Sequence, residues 1–209
     1  MRRAELVRLL QGVPAFVDPR ADLEQVVTPA EAAATLLALA DRYDGLRGRS
    51  VVDLGCGTGR LALGAAALGA SPVLGVDVDP TAVAVGTRTA ASAGLEVELR
   101  VARVDQVRTP ADIVVMNPPF GAQRQHADRP FWDAAYALAR RSIYAFSLAA
   151  SRTFIARRAV DRAAHVLEIV PVPWVLGRTF PHHSRPRVEL DVDLWAIRTA
   201  GRNRGPRAP

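Results

Sequence analysis

The chain has 209 residues, of which 49% are hydrophobic, and a formal net charge of +6 at pH 7. This length suits one domain with a sizeable core. No apolar run reaches the length of about 20 residues that a membrane span needs, and a single cysteine excludes an internal disulfide. We therefore expect a soluble, cytoplasmic protein. Every basic residue is arginine, which a GC-rich genome favours and which also suits a nucleic-acid partner, so charge alone leaves both explanations open.

The N-terminal 49 residues are predicted to form two helices and a connecting segment. Residues 2–11 form a short helix without the pattern of a signal peptide, and residues 12–28 form a loop that its prolines order. At TPAE (28–31) the spacing is that of a capping box. We therefore expect Thr28 to cap a helix that runs to about Asp44.

Strands and helices alternate over most of the remaining chain. The strands are predicted at 50–54, 72–77, 95–101, 111–116, 164–171 and 188–197, and the helices at 59–69, 80–94 and 130–160, the last with a break. This alternation predicts an α/β fold with a mostly parallel, doubly wound sheet and helices on both faces. No helix separates the last two strands, so we expect an antiparallel last strand. The prediction is one domain over residues 1–200 and a disordered basic tail at 201–209.

A glycine-rich loop follows the first predicted strand in VVDLGCGTGRLALG. Gly55, Gly57 and a third glycine let the backbone turn tightly and approach a ligand closely, and the next helix begins with free N–H groups. Asp53 precedes the glycines. Asp77 ends the next strand, 22 residues after Gly55, where an acid can accept hydrogen bonds from both hydroxyls of a ribose.

Two nucleotide cofactors fit this loop. NAD satisfies the ribose contact, but the spacing Gly-x-Gly-x-Gly differs from the dinucleotide fingerprint Gly-x-Gly-x-x-Gly, and Arg60 is the one arginine at the loop to meet a pyrophosphate. S-Adenosylmethionine has a ribose, no phosphates and an ammonium group that Asp53 can attract. We therefore predict S-adenosylmethionine as the cofactor. Cys56 inside the loop is interpreted as a packing residue, because it has no neighbouring histidine.

The stretch NPPF follows the strand 111–116, at the sheet edge where open α/β sheets bind ligands. The amide oxygen of Asn117 and the carbonyl of Pro118 can accept the two hydrogens of an exocyclic amine, which frees its lone pair and stabilises the developing positive charge. Phe120 can stack on the base, and Pro119 adds rigidity. The corner predicts methyl transfer to a base that is flipped out or single-stranded.

Several stretches together resemble a known family. DLGCGTG (53–59) with NPPF is typical of amino-group methyltransferases. LEQVVT (23–28), FWDAAYALARRSIYAFSLAASRTFI (131–155) and FPHHSRPRVELDVDLWAI (180–197) resemble the entry segment, the central helices, and the basic segment with the final strand of the methyltransferase-like-five family. That family comprises archaeal and eukaryotic N6-adenine methyltransferases of small-subunit ribosomal RNA. The resemblance implies a Rossmann-like class I methyltransferase with a seven-stranded sheet.

The resemblance also implies the site residues. The adenine would be held by Asn117, Pro118, Pro119 and Phe120. The cofactor would be bound by Gln25, Thr28, Asp53, Gly55, Gly57, Thr58, Arg60, Asp77, Val78, Val104 and Asn117. Gln25 and Thr28 belong to a segment within residues 1–49 that would close over the cofactor. The family has an Asp-Val pair near the adenine amine of the cofactor where this chain has Arg103-Val104, so Asp105 would substitute for the missing acid.

Ribosomal RNA and a small zinc-binding activator subunit, which forms a heterodimer with the methyltransferase, are the partners that the resemblance implies. The chain itself has no set of zinc ligands, since His182, His183 and one cysteine are too few. The basic loop 178–187 is either solvated or in contact with RNA. Trp132 and Trp174 are interpreted as core residues. Solvated helix faces are predicted for Arg140, Arg141, Arg157 and Arg158.

Three other functions remain open from the sequence. Guanine-N2 methylation of ribosomal RNA also uses an Asn-Pro-Pro-Phe corner. Glutamine-N5 methylation of a release factor is another possibility, although the enzymes that catalyse it normally have tyrosine at the position of Phe120. A noncatalytic RNA-binding assembly factor could retain the fold, although intact Asp77 and NPPF favour an enzyme.

Overall fold

The computed structural model describes residues 1–121, 123–176 and 188–201, and its centre is a sheet of seven strands. The strands are β1 (Val51–Leu54), β2 (Val73–Asp77), β3 (Glu98–Val101), β4 (Ala111–Met116), β5 (Ala139–Leu148), β6 (His165–Leu176) and β7 (Val188–Arg198). The helices are α1 (Arg3–Gln11), α2 (Ala30–Asp44), α3 (Arg60–Ala67), α4 (Pro80–Ser92), α5 (Arg129–Leu138) and α6 (Arg152–Asp161).

The strand order is β3-β2-β1-β4-β5-β7-β6. Strands β1 to β5 pair in parallel, whereas β7 is antiparallel to both β5 and β6. The predicted Rossmann-like fold, with its antiparallel last strand, is therefore confirmed. Because the chain winds outward from β1 in one direction and from β4 in the other, a crevice opens between the carboxyl ends of these two strands.

One predicted element is wrong. The sequence indicated a broken helix over residues 130–160, and the resemblance indicated central helices over 131–155, but α5 ends at Leu138 and residues 139–148 form β5. This strand is inserted between β4 and β7, and the residues from Ile143 to Phe146 are all fully buried. Pairing on both sides and burial override the weak helical preference of this stretch.

The two predicted core tryptophans are confirmed. Trp132 on α5 is fully buried in the cluster that α5 and α6 form against one side of the sheet. Trp174 on β6 is 2% exposed and belongs to the other main cluster, with Phe146 and the apolar residues of α1, α2 and α3.

A buried carboxylate at the end of α2 links this helix to the central strands. Asp44 is 7% exposed and accepts hydrogen bonds from Arg141 (3.1 Å), Tyr144 (2.6 Å) and Arg198 (2.6 Å). Arg141 therefore lies on β5 and not on a solvated helix face, which corrects the prediction from sequence. Although burial raises the pKa of Asp44, hydrogen bonds from Tyr144 and Arg198 outweigh this effect and hold the pKa below its usual value.

Asp44→Ala is expected to lower the free energy of unfolding by about 2–4 kcal/mol, because two arginines and a buried hydroxyl lose their shared acceptor. Urea denaturation at neutral pH measures this loss. Since the native pKa is lowered, the stabilisation by Asp44 is present above pH 4 and fades as the pH falls below it. The matched control is Glu98→Ala, which removes an exposed ion pair with Arg100 and should cost less than about 1 kcal/mol. Equal losses in the two variants would contradict the prediction.

Among the helices that the structure describes, none is long and apolar enough to cross a membrane. The basic loop predicted at 178–187, with His182 and His183, and the predicted basic tail beyond Gly201 lie outside the described residues.

Candidate active site

A cavity of about 500 Å³ opens at the crevice between β1 and β4, a volume that suits a small-molecule ligand. The loops that follow β1, β2, β3 and β4 all contribute to its wall, because the carboxyl ends of parallel strands share one edge of the sheet. The predicted site residues that line it are Gln25, Thr28, Asp53, Gly55, Gly57, Thr58, Arg60, Asp77, Val78, Val104, Asn117 and Pro119.

The glycine loop between β1 and α3 forms the floor of the cavity. Gly55 and Gly57 have φ angles of 70° and 54°, which are left-handed values that favour glycine. A Cβ atom at Gly57 would lie 2.7 Å from the ring of Phe16, and one at Gly55 would lie 2.7 Å from the ring of Phe131. The two rings therefore pack directly on the backbone of the loop, and side chains at these glycines would displace them.

Asp77, at the end of β2, holds the glycine loop in place. Its Oδ2 accepts the backbone N–H of Gly57 at 2.8 Å, and its Oδ1 accepts the backbone N–H of Asp79 at 2.9 Å. Each carboxylate oxygen has a second lone pair, so a pair of ribose hydroxyls can still donate to it. Burial raises the pKa of Asp77 above the usual value of an aspartate.

Asp53 lines the cavity and has one carboxylate oxygen without a partner in the described part of the chain. The side chain is 1% exposed, and its Oδ2 accepts the backbone N–H of Ala62 at 3.0 Å. The other oxygen, Oδ1, is buried without a hydrogen-bond partner among residues 1–121, 123–176 and 188–201. Burial raises the pKa of Asp53 to about 8, against the opposing effect of the hydrogen bond from Ala62. A cationic ligand in the cavity would satisfy this oxygen.

Residues 13–28, which we call the N-terminal strap, cross over the cavity. Arg60, at the start of α3, donates hydrogen bonds to the carbonyl of Val13 (2.8 Å) and to the carbonyl of Thr28 (2.6 Å). The hydroxyl of Thr58 donates to the carbonyl of Pro14 at 2.7 Å. Arg60 and Thr58 line the cavity as predicted, and they also attach both ends of the strap to the cofactor loop.

The middle of the strap joins two further parts of the site. Gln25 donates from Nε2 to the buried Oδ2 of Asp79 at 2.7 Å. The carboxylate of Glu24 accepts the backbone N–H groups of Gly121 (3.0 Å) and Gln123 (2.9 Å), which come directly after the NPPF corner. Sequence reasoning missed Glu24, because its two partners are backbone groups almost 100 residues away; its position beside Gln25 was the one available signal.

Asn117 has its amide oriented by the strap. Its Nδ2 donates to the hydroxyl of Thr28 at 3.0 Å, whereas its Oδ1 is buried without a hydrogen-bond partner in the described part of the chain. Thr28 was expected to cap α2, but the capping position is Pro29 and no side chain caps the helix. The capping prediction is wrong because the hydroxyl of Thr28 is directed at the amide of Asn117 instead.

The other three residues of the NPPF corner differ in their position relative to the cavity. Pro119 lines the cavity, while Pro118 is buried outside its lining. Phe120 is half-buried, and its ring packs edge-to-face on Trp174 with the ring centroids 5.8 Å apart, while Trp174 packs on Phe146 in the same way at 5.1 Å. The aromatic cluster therefore anchors Phe120 beside the cavity rather than inside it, and its base-stacking role stays a prediction.

The acid expected near the adenine of the cofactor lies at the cavity wall. Asp105 belongs to a short 3-10 turn, Val104–Gln106, directly after β3. Arg103 donates to both of its oxygens, at 3.1 and 2.7 Å, and this hydrogen bonding lowers the pKa of Asp105. Both side chains line the cavity. The structure thus places Asp105 at the cavity wall, paired with the arginine that replaces the usual acid, and its contact with the cofactor stays a prediction.

Comparisons with known proteins agree with this arrangement. The family of ribosomal protein L11 methyltransferases (PrmA) matches residues 32–118, which hold the glycine loop and end inside the NPPF corner. The rRNA N(6)-adenosine-methyltransferase METTL5 of Danio rerio is 30% identical over 93% of this chain and 97% of its own length. Mettl5 of Drosophila melanogaster is 29% identical over 93% and 95%. The crystal structure of PH1948 from Pyrococcus horikoshii superimposes with a TM-score of 0.88 and 34% identity over 95% of this chain and 98% of that one.

Proposed function

The chain belongs to the METTL5 family of rRNA N6-adenosine-methyltransferases, and we propose that it methylates the exocyclic N6 amine of an adenosine in small-subunit ribosomal RNA. It is an S-adenosylmethionine-dependent methyltransferase. The observation that carries the choice of an amine acceptor is the amide of Asn117, which is held at its nitrogen by Thr28 and has a free oxygen.

S-Adenosylmethionine supplies an electrophilic methyl group on a sulfonium, and the lining residues fit it. The carboxylate of Asp77 can receive the ribose hydroxyls, and the unpartnered Oδ1 of Asp53 can receive the ammonium group of the methionine part. The rings of Phe16 and Phe131 pack closely on the glycine loop, so side chains at Gly55 and Gly57 would not fit there. Asp105 is the acid available to the adenine amine.

The chemistry of the acceptor follows from the direction of the Asn117 amide. Because Nδ2 donates to Thr28 and Oδ1 has no partner in the described part of the chain, the oxygen is the group available to accept a hydrogen from an incoming amine. Asn117 accepts one amine hydrogen, which helps to localise the lone pair on the nitrogen that forms the new N–C bond. Pro118 is buried outside the cavity lining, so the role of its carbonyl as the second acceptor stays a prediction. The rigid prolines hold the corner without further ordering during the reaction.

Analysis of the methylated nucleosides tests this proposal directly. The purified chain, alone and with a co-expressed activator subunit, is incubated with small-subunit ribosomal RNA and isotopically labelled S-adenosylmethionine, and the RNA is then digested. We expect labelled N6-methyladenosine. Labelled N2-methylguanosine would establish the guanine alternative, label in glutamine of a release factor would establish the protein alternative, and no cofactor binding by calorimetry would indicate an assembly factor.

The proposal includes a small zinc-binding activator subunit. Strand β3 lies at one edge of the sheet, and Val101 at its end is 51% exposed beside the charged pair Glu98 and Arg100, so this edge is available to a partner. Co-expression with the activator is expected to raise both the soluble yield and the melting temperature of the chain. Unchanged yield and melting temperature would contradict this prediction.

Cofactor affinity is expected to rise with pH below about 8, because of Asp53. Burial raises its pKa to about 8 in the free protein, so a proton occupies the carboxyl below that pH. The ligand ammonium favours the ionised carboxylate, so binding releases this proton, and affinity for S-adenosylhomocysteine increases by up to about tenfold per pH unit.

Calorimetry between about pH 5.5 and 7.5, where an amino group stays largely protonated, measures this dependence, and buffers of different ionisation enthalpy count the released protons. The variant Asp53→Asn keeps the shape of the side chain and the hydrogen bond from Ala62 can still form to its oxygen. The variant also keeps Asp77, whose pKa is raised by burial as well. A difference in the pH dependence of affinity between wild type and variant is therefore caused by Asp53. Identical pH profiles for wild type and variant would show that Asp53 does not meet the ammonium.

A further inference from the structure

An exposed aromatic ring lies beside two arginines at the N-terminal parts of α5 and α6. Phe154 on α6 is 36% exposed. The guanidinium carbon of Arg129 lies 5.7 Å from the centroid of its ring, and that of Arg158 lies at the same distance. The ring is therefore fixed by two cations while part of its surface remains open to solvent.

This site adjoins the mouth of the cavity. Arg124 and Pro130 line the cavity, and Arg129 directly precedes Pro130 at the start of α5. Helix α6 begins shortly after β5 ends, at the same edge of the sheet as the cavity. We call the surface formed by Arg124, Arg129, Phe154, Arg157 and Arg158 the arginine face.

The arginine face carries an excess of positive charge. Arg157 is exposed and lies three residues after Phe154, so the two side chains are neighbours on the helix. Arg124, Arg129 and Arg157 form no ion pair within the residues that the structure describes, and the carboxylate of Asp133 is shared by Arg158 and Arg162. An anionic partner would neutralise this charge.

We infer that the arginine face binds the single-stranded RNA that flanks the target nucleotide. A base stacks on the open side of Phe154, while Arg129 and Arg157 pair with phosphates on either side of it. Single-stranded RNA is recognised by this combination of an aromatic ring, guanidinium planes and positive charge. The inference rests on the proposed RNA substrate and assigns the path by which that RNA leaves the cavity.

Binding of a fluorescent single-stranded RNA, measured by anisotropy over a salt series with S-adenosylhomocysteine present, tests the inference. Phe154→Ala is expected to weaken binding by about 5- to 100-fold, as the loss of one stacked base does. The double variant R129A/R157A should also weaken binding and reduce the slope of log affinity against log salt by about 1.4, since two phosphate contacts are lost. Phe154→Leu, which preserves an apolar side chain, provides a second variant should Phe154→Ala fold poorly.

The matched control is Arg88→Ala, which removes an exposed arginine from α4, outside the arginine face, and should change affinity by less than about twofold. Melting temperatures and cofactor affinity should equal those of the wild type in every variant, and methylation should show a raised KM for RNA with kcat nearly unchanged. If all variants bind RNA like Arg88→Ala while the wild type methylates RNA, the inference is overturned and the proposed function stands.

Two other outcomes distinguish failure of the inference from failure of the proposed function. If the wild type binds RNA through the arginine face but the RNA carries no methyl group, the inference stands and the proposed function fails. If the variants lose a co-expressed activator subunit and keep their affinity for RNA, the arginine face is a protein interface and the inference is overturned.

Discussion

Asn117→Ala is expected to reduce methyl transfer by about 10²–10³-fold, the range that follows the removal of one pre-positioned group that stabilises transition-state charge. The dissociation constant of the cofactor should change by less than about tenfold, because Asp53 and Asp77 remain. Single-turnover methylation at saturating cofactor measures the first quantity and calorimetry the second. Retention of more than about a tenth of the wild-type rate would reject the role of the amide.

Variants of Thr28 test whether the direction of the Asn117 amide matters. Thr28→Val removes the hydroxyl that accepts from Nδ2 and keeps the volume of the side chain, so the amide loses its orientation and we expect about a tenfold lower rate. Thr28→Ser keeps the hydroxyl and should restore most of the activity. Equal rates for the Val and Ser variants would show that the hydroxyl of Thr28 does not act on Asn117.

Asp77→Ala is expected to raise the dissociation constant of S-adenosylhomocysteine by at least about 10²-fold. Two hydrogen bonds from ribose hydroxyls to a charged acceptor contribute about 1.5–3 kcal/mol each, which corresponds to two to four orders of magnitude together. The carboxylate also accepts N–H groups of Gly57 and Asp79, so the variant loosens the glycine loop and both effects weaken binding. Calorimetry gives the dissociation constant.

The control for Asp77 is Asp161→Ala, which removes an exposed carboxylate at the end of α6. Its cofactor affinity should equal that of the wild type. A dissociation constant for Asp77→Ala within about threefold of this control would place the ribose elsewhere. A variant that no longer melts cooperatively would instead show that Asp77 is needed mainly to fold the loop.

The local parts of the site could be predicted from the sequence. Gly55 and Gly57 signal a tight turn whatever surrounds them, because their positive φ angles are a property of the backbone. The rigid NPPF corner directly follows a short apolar strand, so its place at the carboxyl edge follows from the rule for parallel sheets. These features sufficed to predict the cofactor and an amine acceptor.

Contacts between distant parts of the chain were beyond sequence reasoning. Glu24 is directed at two backbone N–H groups beyond the corner, and Arg103 is paired with Asp105 inside the cavity wall. Thr28 has the signature of a helix cap, yet its hydroxyl meets Asn117, 89 residues later. A local pattern cannot distinguish between two acceptors or donors that only folding brings together.

The sequence by itself determined the order of strands and helices up to β4, the glycine loop and the chemical nature of the corner, because each depends on neighbouring residues. Only the tertiary structure decided that residues 139–148 form a strand and which distant groups hold the strap over the cavity. Burial between β4 and β7 and hydrogen bonds between distant segments have energies that exceed local preferences, and they exist only once the whole sheet has assembled.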